Sequence, residues 1–277
     1  MTNKGALFRS LPGVDTILET INGSKEADSL IKNIGDNKTV VREILVRAIR
    51  KALTVIREQI NDGTITNIVT NARIVELAKT QIDKSLRELA NILYGSEDTV
   101  VVKDMHGAIK LVLKAISDHP VLLMPSMDLI YRKNTGYVEN MIMDAGATIV
   151  EIGCTNRVHL KDLETKLKKC TPTTINAIFL CNKSNTETLG FTKELDTIKT
   201  TKLAKSYLIP LIIIDFDGTN IKQYLSAGVD VVVSGIEKRT EALVCGNNLF
   251  INEIKALDIF KGISASPDLN FLPFICA

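Results

Sequence analysis

The sequence predicts an α/β protein in which a mostly parallel sheet, with helices on both faces, follows a small helical N-terminal domain. After the stretch YGSED, short apolar runs alternate with helical patterns. Continuous apolar strands that alternate with helices are typical of parallel sheets buried on both faces. Before YGSED, apolar residues recur mainly at helical spacing. The predicted domains are a helical one at residues 1–63 and an α/β one at residues 64–277, which begins with a further helix.

Three helices are predicted before the sheet begins. VDTILETI forms a short amphipathic helix, and DNKTVVREILVRAIRKALTVIREQI forms a longer one that ends at Gly63, since glycine is common just past a helix C-terminus. The apolar stripe of the longer helix contains Val40, Ile44, Ala48, Leu53, Ile56 and Ile60. A third helix runs from about Ala72 to Leu93.

Seven strands and five helices are predicted in the remainder of the chain. The strands are TVVVKD, PVLLMPS, TIVEIG, NAIFLCN, PLIIIDFDG, VDVVVSG and NNLFIN. The helices are MHGAIKLVLKAIS, LIYRKNTGYVENMIMDAG, LKDLETKLKKC, ELDTIKTTKLAKSYL and IKQYLSAG. In sheets of this kind, ligands bind beyond the carboxyl ends of the strands, so functional residues are expected there.

Composition excludes several classes of protein. The formal net charge is only +2, so any RNA contact must come from a local basic patch. The five cysteines are widely spaced without a CxxC pair, which favours neither a zinc site nor a disulfide framework. A reducing cytoplasm is therefore expected. The first residues lack the apolar core of a signal peptide, and no apolar run is long enough to predict a membrane span.

Two strand ends carry an aspartate and a lysine that together predict a cofactor. Asp215 follows the apolar run LIII, and Lys238 follows the next strand 23 residues later. Taken singly, Asp215 could be a turn or helix-capping residue and Lys238 a loop lysine. As a pair they match the needs of pyridoxal 5′-phosphate, because an aspartate keeps its pyridine nitrogen protonated and a lysine binds its aldehyde. Because the chain has only three histidines, no metal site is predicted.

Two further strand ends are candidates for ligand contacts. In VVVKDMHGA, the helix N-terminus at Asp104–Gly107 could hold a phosphate, with Gly107 allowing close approach. An ordinary turn capped by Asp104 is the alternative. His106 could stack on a cofactor ring or simply make a local hydrogen bond. In CNKSNTETLGFT, Ser184, Asn185 and Thr186 could contact a ligand or lie in a polar loop.

Several stretches resemble the bacterial selenocysteine synthase family, also called L-seryl-tRNA(Sec) selenium transferases. SLPGVDTIL resembles the family's LPxVDxLL, and VEIGCTNRVHLKDLE resembles its VEVGTTNRTHxxDYE, the most specific match. KSNTETLGFTKELD and AGVDVVVSGIEKRTEALVCG resemble two further family segments, and the second places Lys238 at the family's cofactor lysine. Asp215 in IIIDFDG matches the aspartate of xxxDLGSG.

This resemblance implies a type I pyridoxal-phosphate-transferase fold with an N-terminal tRNA-binding domain. It implies that seryl-tRNA(Sec) loses water and receives selenium from selenophosphate, in a ring-shaped homo-oligomer. Lys238 would bind the cofactor and take the serine α-proton, Asp215 would hold the ring nitrogen, and Ser234 would lie in the same site. The implied substrate contacts are Arg73, Asn156, Arg157, Ser184 and Asn185. The implied tRNA contacts are Arg42, Arg47, Arg50, Lys51 and Arg57, whose alternative role is the solvated face of a helix.

Departures from the family pattern favour a second hypothesis, a catalytically degenerate relative that binds RNA or another subunit. NIVTNARIVEL retains only Thr70, Asn71 and Arg73 of a longer family segment, and KDMHGA replaces the family's NNNAAA. DFDGT replaces DLGSG, and the added Asp217 brings negative charge toward the cofactor site. The family's C-terminal domain is not matched, so the α/β domain is expected to be truncated. A small-molecule lyase of a sister branch is a third possibility, which the tRNA-domain-like N-terminus disfavours.

Overall fold

The computed structural model describes residues 4–22, 38–132, 136–169, 174–183, 190–235 and 240–264. Within these residues the chain divides into two compact units, one ending at Leu89 and the other beginning at Ala90. The predicted domain boundary at residue 63 stays a prediction.

The first unit is helical. Its helices are α1 (Lys4–Arg9), α2 (Val14–Asn22), α3 (Lys38–Asn61) and most of α4 (Asn71–Tyr94). The longer two confirm the helices predicted from apolar periodicity. One face of α3 is buried and forms the centre of the unit's core, through Ala48, Ile49, Ala52, Leu53, Ile56 and Ile60. Ile17 of α2 and Ile74 of α4 also belong to this core, so helix packing of apolar stripes stabilises the unit.

The second unit contains a seven-stranded sheet in the order β1-β9-β8-β7-β6-β2-β5. Its strands are β1 (Asp98–Val102), β2 (Val121–Pro125), β5 (Thr148–Ile152), β6 (Ala177–Cys181), β7 (Leu211–Asp215), β8 (Val231–Gly235) and β9 (Ala242–Gly246). From β8 to β5 all neighbours are parallel, whereas β9 is antiparallel to both β8 and β1. Every residue of β6, β7 and β9 is buried, as expected for strands covered on both faces. The mostly parallel α/β sheet predicted from the sequence is thus confirmed.

Helices connect and cover these strands. They are α5 (Met105–Ile116), α6 (Val138–Asp144), α7 (Leu160–Lys169), α8 (Thr197–Ser206), α9 (Ile221–Ser226), α10 (Asn248–Ala256) and α11 (Phe260–Ile263). α5 lies against β1, β8 and β9, and its apolar face is fully buried in the main core. Across the described residues, no helix has both the length and the apolar character that crossing a bilayer requires.

Two sequence predictions are wrong. NNLFIN is not a strand: Asn247 caps α10 by accepting the Phe250 N–H at 2.9 Å, and Ile251 and Ile254 are buried at helical spacing. The strand in this region is the preceding β9, which had not been predicted. The helix predicted from LIYRKNTGYVENMIMDAG begins only at Val138, since β3 (Tyr131–Arg132) and β4 (Gly136–Tyr137) form a hairpin before it.

Candidate functional site

The carboxyl ends of β2, β6, β7 and β8 meet at one edge of the sheet because these strands are parallel. β1 ends at the same edge, since it is antiparallel to β9 and β9 is antiparallel to β8. Polar residues lie at three of these ends: Asp128 and Asn182 follow β2 and β6, and Asp215 is the last residue of β7. This edge is the expected position of a ligand site in an open α/β sheet.

Asp215 is the final residue of β7 and has no exposed surface. Its Oδ1 accepts a hydrogen bond from Asn182 Nδ2 at 2.9 Å, and its Oδ2 accepts one from the backbone N–H of Asn220 at 2.8 Å. Both donors are uncharged groups. The charge of Asp215 also contributes, after burial, to raising the pKa of Tyr224 on α9 to about 12. The carboxylate is thus oriented and desolvated at the predicted position.

Ser234 lies directly beside Asp215 on β8 and is fully buried. Its hydroxyl donates a hydrogen bond to the Gly235 carbonyl oxygen at 3.0 Å. A side chain at Gly235 would overlap the Phe216 carbonyl oxygen, because the turn that follows Asp215 approaches the end of β8 closely. The end of β8 and this turn are therefore in close backbone contact just before the segment that contains Lys238.

Arg132 neutralises the added negative charge of Asp217. Its Nη2 donates to Asp217 Oδ1 at 2.8 Å, and both side chains are mostly buried. The guanidinium also lies 4.6 Å from the centre of the Phe216 ring, a cation–π contact. The sequence predicts that Asp217 brings negative charge toward the cofactor site, and the structure pairs this carboxylate with a cation from the β3–β4 hairpin.

A buried ion pair joins the ends of β2 and β6. Asp128, which ends the short 3-10 turn Ser126–Asp128, is only 3% exposed and pairs with Lys183. Its second oxygen, Oδ2, accepts the Cys181 N–H at 2.9 Å. Burial raises the pKa of the Asp128 carboxyl, and the charge of Lys183 opposes that shift. Glu194 lies 3.5 Å from Lys183 as a second, more exposed partner.

The N-terminus of α5, predicted as a phosphate site, is occupied by the protein itself. Asp104 is the N-cap, and its Oδ1 accepts the Gly107 N–H at 2.6 Å. A side chain at Gly107 would overlap Ile263, which therefore covers the face that a ligand would approach. His106 is about half exposed, with Nε2 3.9 Å from Asp144 of α6. The assignment of Asp104, His106 and Gly107 to a cofactor stays a prediction.

Asn156 and Arg157 lie in the exposed segment after β5. The Asn156 amide donates to the Phe191 carbonyl oxygen at 3.4 Å, and the Arg157 backbone pairs with Cys154. Arg157 also lines an open groove of about 700 Å³. The other lining residues are Ile152, Gly153, Cys154, His159, Asp162, Thr165, Lys166 and Lys169. The substrate role of Asn156 and Arg157 stays a prediction.

The remaining predicted contacts lie in the first unit or outside the described residues. Arg73 is exposed near the start of α4. The predicted tRNA-binding residues are exposed on α3, away from its buried face: Arg42, Arg47, Arg50, Lys51 and Arg57. Lys238, Ser184 and Asn185 lie outside the described residues. Their roles, like those of the exposed residues, stay predictions.

Sequence reasoning missed Asp128, Asn182, Asn220 and Lys183. A signal for two of them was available, since Asn182 and Lys183 directly follow the apolar strand IFLC. No sequence signal connects Asp128 to them, because that contact depends on β2 lying beside β6. Among the described residues, no group of three His, Cys, Asp or Glu side chains is arranged to hold a metal ion.

Several curated relatives of the chain share one description, L-seryl-tRNA(Sec) selenium transferase. The protein from Alkaliphilus oremlandii is 24% identical over 217 residues, covering 72% of this chain and 46% of that protein. The protein from Campylobacter fetus is 27% identical over 190 residues, covering 62% of this chain and 42% of that protein. The protein from Clostridium perfringens is 27% identical over 186 residues, covering 61% of this chain and 39% of that protein. The chain thus matches less than half the length of each of these relatives.

Solved structures with the same fold include two lyases. D-glucosaminate-6-phosphate ammonia-lyase superposes with a TM-score of 0.59 at 16% identity, covering 84% of this chain and 62% of that one. Cystathionine gamma-lyase from Lactobacillus plantarum, complexed with L-serine, superposes with a TM-score of 0.50 at 20% identity. The match covers 70% of this chain and 50% of that one. These likenesses confirm the predicted type I pyridoxal-phosphate-transferase-like fold.

The family model described as L-seryl-tRNA selenium transferase matches residues 35–239. The matched span contains Asp215 and Lys238, the two residues from which a cofactor was predicted. The expectation of pyridoxal 5′-phosphate is accordingly supported at the level of the family. Because the match covers most of the chain, the protein belongs to the L-seryl-tRNA selenium transferase family.

Proposed function

We propose that this protein binds pyridoxal 5′-phosphate at the carboxyl edge of β7 and β8 and acts on the seryl group of seryl-tRNA(Sec). The proposed reaction replaces the serine hydroxyl with selenium from selenophosphate, in the cytoplasm and in a homo-oligomer. The single observation that carries the proposal is the Asp215 carboxylate, which is fully buried where the ring nitrogen is expected.

The surroundings of Asp215 fit a cationic ring nitrogen. A buried carboxylate is costly unless it is hydrogen-bonded and paired with positive charge. Within the part of the chain that the structure describes, Asp215 has two uncharged donors and forms no salt bridge. A carboxylate has about four lone-pair sites, so room for a further donor remains. A protonated pyridine nitrogen would supply both the donor and the compensating charge.

Three residues have proposed roles in the reaction. The cofactor, when bound, supplies an electron sink that makes loss of the serine α-proton possible. Lys238 would hold the cofactor covalently until the seryl amino group displaces it, and its freed amine would then take that proton. Asp215 would hold the proton on the ring nitrogen, and Asn182 would keep the carboxylate oriented through its 2.9 Å hydrogen bond.

The exposed basic face of α3 supports tRNA as the proposed substrate. Five arginine and lysine side chains on this helix are exposed, and cations of this kind contact RNA phosphates. They are Arg42, Arg47, Arg50, Lys51 and Arg57. We expect Arg47→Ala to weaken tRNA(Sec) binding and flatten its salt dependence, whereas Lys202→Ala on α8 should change neither. Binding that does not respond to salt would contradict an electrostatic role for this face.

A second candidate function is a catalytically degenerate scaffold that binds RNA or another subunit. The N-terminus of α5 favours it. Asp104 already accepts the Gly107 N–H, and Ile263 covers Gly107, so a phosphate there must displace a carboxylate and a side chain. Reconstitution separates the two candidates, because a scaffold binds tRNA without binding the cofactor or turning over seryl-tRNA(Sec).

The test of the proposed function compares two aspartates at opposite edges of the sheet. Asp215→Asn should weaken pyridoxal 5′-phosphate binding at least about tenfold, on the scale of a lost charge-assisted contact. Asp230→Asn is the matched control, since Asp230 accepts the Leu211 N–H at 2.9 Å where β8 begins. It should leave cofactor binding unchanged. Equal binding by wild type and Asp215→Asn would refute the proposed site.

A further inference from the structure

Asp128 contacts both neighbours of Asn182. One carboxylate oxygen accepts the Cys181 N–H at 2.9 Å, and the other pairs with the Lys183 ammonium group. Asn182 itself donates its backbone N–H to the Ile214 carbonyl oxygen at 2.8 Å. The backbone at residue 182 is therefore held from three directions.

The side chain of Asn182 connects this arrangement to Asp215. Its Nδ2 donates to Asp215 Oδ1 at 2.9 Å, beside a carboxylate that is fully buried. A small shift of the Asn182 backbone would lengthen or misalign that hydrogen bond, which weakens steeply with angle. Asp128 thus bonds to both residues that flank this amide, while no hydrogen bond or ion pair among the described residues joins Asp128 to Asp215 directly.

We propose that Asp128 is a positioning residue that acts through Asn182 to orient the Asp215 carboxylate. The proposal rests on the proposed function, because it assigns a consequence for pyridoxal 5′-phosphate binding. Lys183 is the counterion in this arrangement, and Glu194 faces Lys183 from outside at 3.5 Å.

A contribution to folding stability does not by itself explain why Asp128 and Lys183 form a buried ion pair. Asp128 is 3% exposed, and removing a carboxylate and an ammonium group from water costs several kcal/mol per ion before their attraction offsets it. Apolar residues of similar volume often stabilise a protein as well as a buried ion pair does. The hydrogen bonds to residues on either side of Asn182 give the pair a specific structural consequence.

The experiment is a double-mutant cycle on cofactor affinity. Asp128→Asn and Asn182→Ala should each weaken pyridoxal 5′-phosphate binding about tenfold, on the scale of a hydrogen bond to a charged group. In the Asn182→Ala background, Asp128→Asn should have almost no further effect, because the amide through which it acts is gone. The absorbance spectrum of the bound cofactor and its pH dependence should change alike in both single variants.

Asp98→Asn is the matched control. Asp98 also pairs with a lysine, Lys255, and also accepts a backbone N–H, that of Thr99 at 2.8 Å, but it lies where β1 begins. We expect this variant to lose stability without changing cofactor affinity or spectrum. If Asp128→Asn fails to fold, Lys183→Gln tests the Lys183 contact alone in the same kind of cycle, because it leaves the Cys181 hydrogen bond in place.

The outcomes separate the inference from the proposed function. Independent, additive effects of Asp128→Asn and Asn182→Ala on affinity would overturn the positioning role while leaving the proposed function standing. Unchanged pyridoxal 5′-phosphate affinity in Asp128→Asn would also overturn the positioning role and leave the proposed function standing. Absence of cofactor binding by the wild-type protein would overturn the proposed function and, with it, the inference.

Discussion

The substitution Asp104→Ala should make the protein less stable and, at the same time, make it bind pyridoxal 5′-phosphate more tightly. The Asp104 carboxylate caps α5 by accepting the Gly107 N–H at 2.6 Å. Loss of such a cap costs about 1 kcal/mol, which lowers the melting temperature by roughly 2–4 °C for a domain of this size. The freed N–H becomes available to a phosphate, and a negative charge that repels the phosphate is removed.

The gain in affinity follows from that released donor. A hydrogen bond to a charged group contributes about 1.5–3 kcal/mol, which corresponds to roughly a tenfold to hundredfold change in the dissociation constant. Isothermal titration with the cofactor measures this change, and thermal unfolding of the cofactor-free protein measures the loss of stability. Ile263→Ala, added to Asp104→Ala, should increase affinity again, because Ile263 covers Gly107.

Asp196→Ala is the control for this prediction. Asp196 caps α8 in the same way, accepting the Lys199 N–H at 2.8 Å. Its loss should lower stability by a similar amount and leave cofactor affinity unchanged. If Asp104→Ala binds the cofactor no more tightly than Asp196→Ala, the phosphate does not use the N-terminus of α5, and the reasoning is refuted.

Three further predictions test the packing and charge pairs. Gly235→Ala should destabilise the protein by several kcal/mol in urea unfolding, because its Cβ would overlap a backbone carbonyl, whereas Gly262→Ala, with open space, should not. Arg132→Met should cost about 1–3 kcal/mol by removing the cation that donates to Asp217, and exchanging the two residues should recover part of that loss; no recovery would contradict the pairing. In native protein at pH 8, a thiol reagent should label the exposed Cys154 but not the buried cysteines of β6 and β9, because burial raises the pKa of their thiols. Mass spectrometry identifies the labelled residues, and labelling of the buried cysteines would contradict their burial.

The strands of the central sheet could be predicted because burial on both faces demands continuous apolar runs. LIII in β7 and VVV in β8 have this pattern, and both strands lie where the sequence placed them. The prediction that Asp215 marks a strand end at the ligand edge followed from the same pattern. The segment NNLFIN failed because six residues are too few to separate strand from helix, and the cap by Asn247 decided the outcome.

The network around Asp215 could not be predicted because its members are distant in sequence. The contacts of Asp128 with the end of β6, and of Asn182 with Asp215, form only because β2, β6 and β7 are adjacent, an order that no local pattern specifies. The pairing of Arg132 with Asp217 depends likewise on the β3–β4 hairpin, which the sequence indicated as a helix. Long-range polar contacts thus required the three-dimensional arrangement of the strands.

Covalent trapping of the cofactor on Lys238 tests the central proposal most directly. The protein is reconstituted with pyridoxal 5′-phosphate, reduced with borohydride, digested and examined by mass spectrometry. The account predicts a cofactor adduct on the peptide that contains Lys238, and its loss in Lys238→Ala. A wild-type protein without an adduct, or an adduct that persists on another lysine in Lys238→Ala, would contradict the account.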